Sequence, residues 1–257
     1  MAKAGKPAAK RGGAASKFPR VSAGELLTLL DFVRYGVSRF VEAELVFAHG
    51  TTDPLAEAAF LVCEALHLHP DQFEAFATAR VTAAEGRKIL DLIARRVTTR
   101  KPAAYLVNKI YMRGLPFYVD ERTIVPRSFI GELLDQHFGG DGDEEAGSLI
   151  SDPADVESVL DLCTGSGCLA ILAALAFPKA RVDASDTSAA ALAVARRNVQ
   201  SYRLGKRVRL VRSDLFAALP GRYELILCNP PYVPATEMRR LPRGRLRAST
   251  RDIKKRL

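Results

Sequence analysis

Short apolar runs alternate with helical patterns between residues 156 and 228, and this alternation constrains the fold of the chain more than any other feature. Four runs have the length and composition of buried strands, near residues 156–162, 180–185, 207–212 and 223–228. Helical patterns separate the first three, at residues 167–177 and 188–203. Buried strands that alternate with helices favour a parallel sheet with helices on both faces. We therefore predict a doubly wound α/β domain, in which ligands bind beyond the carboxyl ends of the strands.

The upstream residues carry helix start signals instead. Three such signals precede apolar residues at helical spacing: Ser22–Glu25, Asp53-Pro54 and Thr82–Glu85. The first and third have the spacing of a capping box, and the second pairs an N-cap residue with proline at the first helical position. They predict helices that carry Leu26 to Phe40, run through Leu66, and end before Pro102. Residues 21–104 are therefore predicted to form a small all-helical domain.

A hairpin signal follows the helical region. Gly114-Leu-Pro116 lies between two β-prone runs, residues 110–113 and 117–120. A short helix is predicted at 128–138 and leads into the polar sequence GGDGDEEAGS. We therefore assign residues 105–150 to a hairpin and linker, and residues 151–242 to the sheet domain.

The net charge of +9 belongs to the two ends of the 257-residue chain. Residues 1–20 contribute +6 and residues 241–257 another +6, so residues 21–240 carry a net charge of −3. The Ala/Gly/Lys-rich tail at 1–20 is predicted to be disordered. Two readings of the basic ends, including the tail at 243–257, stay open: weak, non-specific contact with RNA, or solvated tails without a partner.

Composition excludes several classes of protein. No apolar run reaches the roughly 18 residues that span a bilayer. The lysines near the N-terminus precede no apolar segment of the kind found in secretory signals, so we expect a cytoplasmic protein. Neither the cysteines nor the four histidines have metal-ligand spacing, so we expect neither a disulfide framework nor a metal site. The cysteines are Cys63, Cys163, Cys168 and Cys228.

The first strand of the predicted sheet ends in the motif D-L-C-T-G-S-G-C, residues 161–168. Gly165 and Gly167 allow a tight turn and the close approach of a ligand to the backbone. The alternative explanation of this G-x-G sequence is a plain tight turn without a ligand. It is not the dinucleotide-binding pattern, because Ala170 stands where that pattern has its third glycine.

Acidic residues follow the next two strands. Asp186 comes about 20 residues after the glycines, where a carboxylate can bind two ribose hydroxyls. It can also serve as the N-cap of the helix that follows. Asp214 can accept a proton from an exocyclic amine, with Phe216 against a flat ring. The alternative is a loop aspartate beside a core phenylalanine.

The fourth strand ends in Asn229-Pro-Pro-Tyr232. The prolines fix φ and donate no hydrogen bond, so the carbonyls there are acceptors in a rigid frame. With the side-chain carbonyl of Asn229, they suit a planar –NH2 group that has two protons to donate. Tyr232 can stack on the plane of that group, which aligns its nitrogen for attack. An Asn-Pro turn with no ligand is the alternative.

These motifs, D-L-C-T-G-S-G-C, D-T-S, S-D-L-F and N-P-P-Y, resemble those of S-adenosylmethionine-dependent amino methyltransferases. From about residue 22 to 242 the chain resembles the N(5)-glutamine methyltransferases, the HemK/PrmB family. The match is closer to its PrmB branch, which methylates a glutamine of protein three of the large ribosomal subunit, than to its release-factor branch. The discriminating stretches are residues 49–54, 105–109, 117–122 and 125–133.

The resemblance implies a Rossmann-like class I methyltransferase domain, S-adenosylmethionine as cofactor, and substrate recognition by the helical domain. It also implies a role for each motif residue. Asp214 and Leu215 would bind adenine, and Asp186 would hold the ribose. Asn229 and Pro230 would grip the glutamine amide, with Pro231 and Tyr232 packed around it. The methionine end of the cofactor would be lined by Asp161, Thr164, Gly165, Ser166 and Gly167, with Asn229 also in contact.

Three other functions stay open: a release-factor glutamine methyltransferase, an adenine methyltransferase for DNA or RNA, and an inactive chain. The last arises because the family's sheet has seven strands, of which this chain supplies about four. The resemblance ends at Pro242, and the arginine-rich sequence at 243–257 is unlike the family. We interpret that change as a truncated or frameshifted end.

Overall fold

The computed structural model describes residues 21–22, 24–47, 53–126, 128–136, 150, 152–219 and 221–230. The helices are α1 (Leu29–Glu42), α2 (Pro54–Ala65), α3 (Phe73–Phe76), α4 (Ala83–Thr99), α5 (Ala103–Val107), α6 (Ile130–Asp135), α7 (Cys168–Ala176) and α8 (Ala189–Ser201). The strands are β1 (Lys109–Met112), β2 (Leu115–Tyr118), β3 (Ser158–Leu162), β4 (Arg181–Asp186), β5 (Val208–Arg212) and β6 (Leu225–Cys228). Among the described residues, no helix combines the length and apolarity needed to cross a membrane. The predicted tails at 1–20 and 243–257 lie outside these residues, and the predicted domain boundaries stay predictions.

Two of the three predicted helix starts are confirmed. The Asp53 carboxylate accepts the Ala56 N–H at 2.8 Å, and Thr82 forms a capping box with Glu85. The start after Ser22 was wrong, because Ser22 and Glu25 bond to each other in a turn that precedes the helix.

The first helix begins at Leu29 instead, capped by Thr28 in its own box with Asp31. A tertiary contact explains the late start. Thr28 forms an isolated antiparallel bridge with Arg80, which keeps the chain extended just before α1.

Helices α1, α2 and α4 enclose an apolar core that holds one buried ion pair. The Arg96 guanidinium lies 3.0 Å from Glu57 Oε2, and both side chains are about 2% exposed. The other oxygen, Glu57 Oε1, accepts the Ala103 N–H at 3.0 Å, and Arg96 also donates to the Val46 carbonyl at 3.2 Å. Both carboxylate oxygens are therefore satisfied, which is what makes such a charge tolerable in a core.

The predicted hairpin is confirmed as an antiparallel pair of β1 and β2. Its turn is shorter than we predicted, since Arg113 and Gly114 alone form it, with φ of +52° and +71°. Positive φ at both central residues is the geometry of a two-residue turn whose twist matches that of the strands. The predicted helix at 128 begins at Ile130 and runs to Asp135 within the described residues.

The sheet is parallel, with strand order β5-β4-β3-β6, and is a Rossmann-like α/β domain as predicted. The prediction of helices on both faces stays a prediction, because the described residues show only the helices of one face. Helices α7 and α8 contact each other, and both contribute to the core on the face that holds Val159, Val182 and Val208. Because β3, β4 and β5 follow one another in one direction, right-handed crossovers place both helices on the same face. On the other face Leu160 is fully buried, whereas its neighbour Ile226 is 48% exposed.

We expect the loss of one partner of the buried ion pair to destabilise the helical core strongly. Glu57→Ala leaves Arg96 buried without its partner and should lower the free energy of unfolding by about 3–5 kcal/mol. Glu121→Ala removes the partner of Lys101 in an exposed pair and should cost about 1 kcal/mol or less. Urea unfolding followed by circular dichroism measures both. Equal losses in the two variants would contradict the expectation.

Candidate active site

The carboxyl ends of the four parallel strands meet at one edge of the sheet, and backbone hydrogen bonds join the loops that follow them. The Thr164 N–H, in the loop after β3, donates to the Ser185 carbonyl in β4 at 2.9 Å. The Ser213 N–H, after β5, donates to the Asp186 carbonyl at 3.1 Å. The structure therefore brings three of the predicted motifs together.

Asp161 is buried near the end of β3, and its two oxygens differ in their surroundings. Oδ2 accepts the Thr164 hydroxyl and, at 3.0 Å, the Ala170 N–H in the first turn of α7. It thereby satisfies a helix start whose flanking residue, Gly167, supplies no side-chain cap. Oδ1 accepts no hydrogen bond from the part of the chain that the structure describes.

Burial raises the pKa of Asp161 to about 7, and the negative charge of Asp186 adds to that rise. The hydrogen bonds from Thr164 and Ala170 oppose it, because they stabilise the charged form. Asp161 is therefore half ionised near neutral pH, and its Oδ1 can accept a hydrogen bond from a cationic group.

The glycines after β3 are explained by geometry. Gly165 and Gly167 have φ of +56° and +80°, a conformation that favours glycine. A Cβ at Gly167 would lie 3.1 Å from the Ala195 Cβ in α8, whereas one at Gly165 would meet nothing within 4 Å. Gly167 is thus needed for helix packing as well as for the turn, and the space beside Gly165 can admit a ligand.

Asp186 binds the loop at residues 164–167, called the glycine loop below, and does not cap the next helix. Its Oδ2 accepts the Gly165 N–H at 3.0 Å, and its Oδ1 accepts the Ser188 N–H at 2.8 Å. Ser188 is the N-cap of α8, since its hydroxyl accepts the Ala191 N–H. The alternative that made Asp186 the N-cap was therefore wrong.

The loop after β5 exposes apolar side chains. Leu215 and Phe216 are 56% and 54% exposed, so the alternative of a core phenylalanine was wrong. The Ser213 hydroxyl donates to the Leu215 carbonyl at 2.7 Å and accepts the Ala218 N–H at 3.0 Å, which holds the loop in shape. Asp214 is exposed in the same loop.

The structure places only the first half of the N-P-P-Y motif. Cys228 pairs with Leu162 in the register of β3 and β6, so Asn229 lies beside the start of the glycine loop. Asn229 and Pro230 are half-buried. Pro231 and Tyr232 lie outside the described residues, so their predicted contacts with a substrate amide stay predictions.

Two features of the site were not predicted from the sequence. Cys163 and Cys228, one residue before Thr164 and Asn229, are free cysteines at neighbouring strand ends. Burial raises the pKa of Cys163 to about 12, so that thiol is a neutral part of the wall. Asn198, in the middle of α8, is buried and bonded to the glycine loop. The signal that could have revealed Asn198 is an amide side chain within the apolar stripe of a helix.

A family model and several curated proteins match this chain. The family model described as the methyltransferase small domain matches residues 147–244, which include all four parallel strands. The ribosomal protein uL3 glutamine methyltransferase of Bradyrhizobium diazoefficiens is 72% identical over 94% of this chain and 75% of its own length. That of Bordetella pertussis is 52% identical over 85% of this chain and 71% of its own length. The chain belongs to the ribosomal protein uL3 glutamine methyltransferase family.

Solved structures resemble this methyltransferase more weakly. A SAM-dependent methyltransferase from Agrobacterium tumefaciens is 21% identical over 48% of this chain and 39% of its own, with a TM-score of 0.35. Such a likeness carries no argument about the site. The family assignment rests on the curated relatives, which confirm the resemblance that the sequence motifs indicated.

The raised pKa of Asp161 predicts that rising pH destabilises the methyltransferase. The unfolded carboxyl ionises near 3.8, whereas the folded one keeps its proton up to about 7. Between these values the folded chain binds more protons, so the contribution of Asp161 to the free energy of unfolding falls by up to about 4 kcal/mol as the pH rises. Asp161→Asn keeps the acceptor for Thr164 and Ala170 without the charge. Urea unfolding of both proteins from about pH 4 to 8 measures the difference, and a constant difference would contradict the prediction.

Proposed function

We propose that the chain transfers a methyl group from S-adenosylmethionine to the side-chain amide nitrogen of a glutamine in large-subunit ribosomal protein uL3. The observation that carries the proposal is the 72% identity to a relative named for that activity, which extends over 94% of this chain. The parallel sheet supports it, because its loops gather Asp161, Gly165 and Asp186 at one edge, where such domains bind ligands.

The residues at this edge suit S-adenosylmethionine, which when bound supplies a methyl group on a positively charged sulfur. Asp161 Oδ1 can accept the ammonium of the methionine end, which gives that buried oxygen its missing partner. Gly165 leaves room beside it, with Thr164, Ser166 and Gly167 shaping the rest of the loop.

We assign the ribose and adenine of the cofactor to the residues at the ends of β4 and β5. We assign the ribose hydroxyls to the Asp186 carboxylate, which the Gly165 and Ser188 amides hold at the end of β4. Asp214 and Leu215 follow in the loop held by Ser213, and we assign them to adenine. This order along the sheet edge matches the order of the strands, β3, β4 and β5.

We assign the acceptance of the glutamine to the end of β6. Two acceptors, the side-chain carbonyl of Asn229 and the backbone carbonyl of Pro230, can take the two protons of a –NH2 group. That arrangement fixes the nitrogen and orients it for in-line attack. Pro231 holds the frame rigid, and we assign Tyr232 to the plane of the amide. The amide nitrogen becomes acidic once it has been alkylated, so its proton can leave to water.

We assign recognition of uL3 to the helical region at 21–104 and expect the reaction to take place in the cytoplasm. The basic ends at 1–20 and 243–257 are the segments that would contact RNA weakly, a contact that salt should abolish. Neither assignment affects the chemistry at the sheet edge.

Asn229→Ala tests the assigned reaction. We expect at least about a 100-fold loss in kcat, because an acceptor that acts in the transition state is removed. Gln200→Ala, which removes an exposed amide from α8, should leave kcat within about twofold. The assay follows radiolabelled methyl transfer to purified uL3, with release factor and adenine-containing DNA as competing substrates. Methylation of either competitor in place of uL3 would overturn the proposal.

S-adenosylmethionine should bind more tightly as the pH rises from about 5.5 to 7. The free site holds a proton on Asp161 below about pH 7, and binding of an ammonium requires the carboxylate, so complex formation releases that proton. Calorimetry in two buffers of different ionisation enthalpy counts the released protons. Asp161→Asn should bind more weakly with no such release. Proton uptake on binding, or equal release by the variant, would contradict the role given to Asp161.

A further inference from the structure

Asn198 joins two segments that are distant in sequence. It lies in the middle of α8 and is 1% exposed. Its Oδ1 accepts the Tyr118 N–H at 2.8 Å, and its Nδ2 donates to the Tyr118 carbonyl at 2.9 Å. The same Nδ2 donates to the Ser166 carbonyl at 2.8 Å, in the glycine loop. One side chain thus bonds the hairpin and the loop at once.

No smaller polar side chain and no apolar one could make these three bonds. The amide pairs with Tyr118 as a neighbouring strand would, because it accepts the N–H and donates to the carbonyl of the same residue. Its second proton is then free for Ser166. Aspartate lacks both donors, and leucine would leave one buried and two partly buried backbone groups without these partners. The position therefore specifies asparagine by its chemistry.

Arg197 of α8 and Tyr202, which follows the helix, also contact the hairpin. The Arg197 guanidinium carbon lies 3.5 Å from the centre of the Tyr118 ring. The Tyr202 ring stacks on Phe117, and its hydroxyl donates to the Pro116 carbonyl at 2.7 Å. These contacts join the hairpin to α8, and Asn198 bonds both to the glycine loop, which also packs against Ala195 at Gly167.

The hairpin is bonded to the helical region on its other strand. The Lys109 ammonium lies 2.6 Å from Glu64 Oε2 in α2, and the Tyr111 hydroxyl donates to Glu64 Oε1 at 2.9 Å. Hydrogen bonds and ion pairs therefore run without interruption from α2, through β1 and β2, to Asn198 and Ser166.

We propose that Asn198 is a positioning residue that couples the Gly165–Gly167 loop to the hairpin, and through it to the helical region. The inference rests on the proposed function, in which the loop binds S-adenosylmethionine and the helical region binds uL3. Cofactor binding fixes the loop, Asn198 passes that constraint to Tyr118, and the surface for the protein substrate becomes better ordered. Coupling of this kind is reciprocal, so uL3 and the cofactor each tighten the binding of the other.

The decisive variant is Asn198→Ala, and its matched control is Val199→Ala. Val199 is the next residue of α8, is equally buried, and packs in the core without touching the loop or Tyr118 through a hydrogen bond. Thermal melting establishes that both variants are folded at the temperature of the assay. The affinity of uL3 is then measured with and without saturating S-adenosylhomocysteine, the demethylated product, which cannot react.

We expect the ratio of the two uL3 affinities to be well above one for the wild type and for Val199→Ala. In Asn198→Ala it should fall to about one, with a loss of about tenfold in affinity for the cofactor product. A purely structural role would lower the melting temperatures of both variants and leave the ratio unchanged. An unchanged ratio in Asn198→Ala would therefore overturn the proposal.

Amide hydrogen exchange of the wild type tests the same coupling if Asn198→Ala does not fold. S-adenosylhomocysteine should slow exchange at the Tyr118 N–H as well as at the Gly165 and Gly167 N–H groups. Slower exchange in the loop alone overturns the coupling. If the wild type binds no cofactor product at all, the proposed function fails first, and that result is distinct because neither segment is then protected.

Discussion

The arrangement of this sheet edge depends on one buried carboxylate. Asp161 stands where β3 gives way to the glycine loop, and its Oδ2 bonds the loop, through Thr164, and the first turn of α7, through Ala170. A helix start has amide groups without intrahelical partners, and burial makes each unsatisfied group costly. Because the glycine before α7 has no side chain, the strand itself supplies the acceptor. The direction in which α7 leaves the sheet is fixed by that bond.

The glycine loop is held from both sides by groups of the same chain. Asp186 accepts its Gly165 amide from the β4 side, and Asn198 donates to its Ser166 carbonyl from the α8 side. Cys163 stands just before it with φ of +62°, a left-handed conformation that costs energy for a residue with a Cβ. Such a conformation persists only where neighbouring contacts determine it, and the bonds to Asp161, Asp186 and Asn198 do so. These bonds determine the path of the loop, and a bound ligand would restrain it further.

The sequence predicted the elements better than it predicted their limits and partners. Strands β3 to β6 were found because buried parallel strands are short apolar runs, a local property. Helix α1 was placed too early because a capping box at Ser22 and one at Thr28 look alike along the chain, and the bridge to Arg80 that decides between them is tertiary. The single-sided placement of α7 and α8 depends on strand order, which local patterns do not contain.

The candidate site shows the same division. Motifs at strand ends could be recognised residue by residue, since glycine, aspartate and Asn-Pro-Pro-Tyr each have a local chemical reason to be there. Asn198 could not be assigned a role from the sequence, because its partners Tyr118 and Ser166 are 80 and 32 positions away. Its role exists only once the hairpin packs on α8.

Two buried carboxylates in this chain differ in a way that separates structure from function. Glu57 has a charged partner in Arg96 and a backbone donor in Ala103, so its two oxygens are filled and its charge is balanced within the fold. Among the described residues, Asp161 has no cation in an ion pair with it and its Oδ1 has no donor. Burial of such a group lowers the stability of the fold, and no contact of Asp161 Oδ1 among the described residues offsets that cost. The cost is understandable if a cationic ligand completes the site, because the same burial that raises the pKa strengthens the attraction once the ligand is bound.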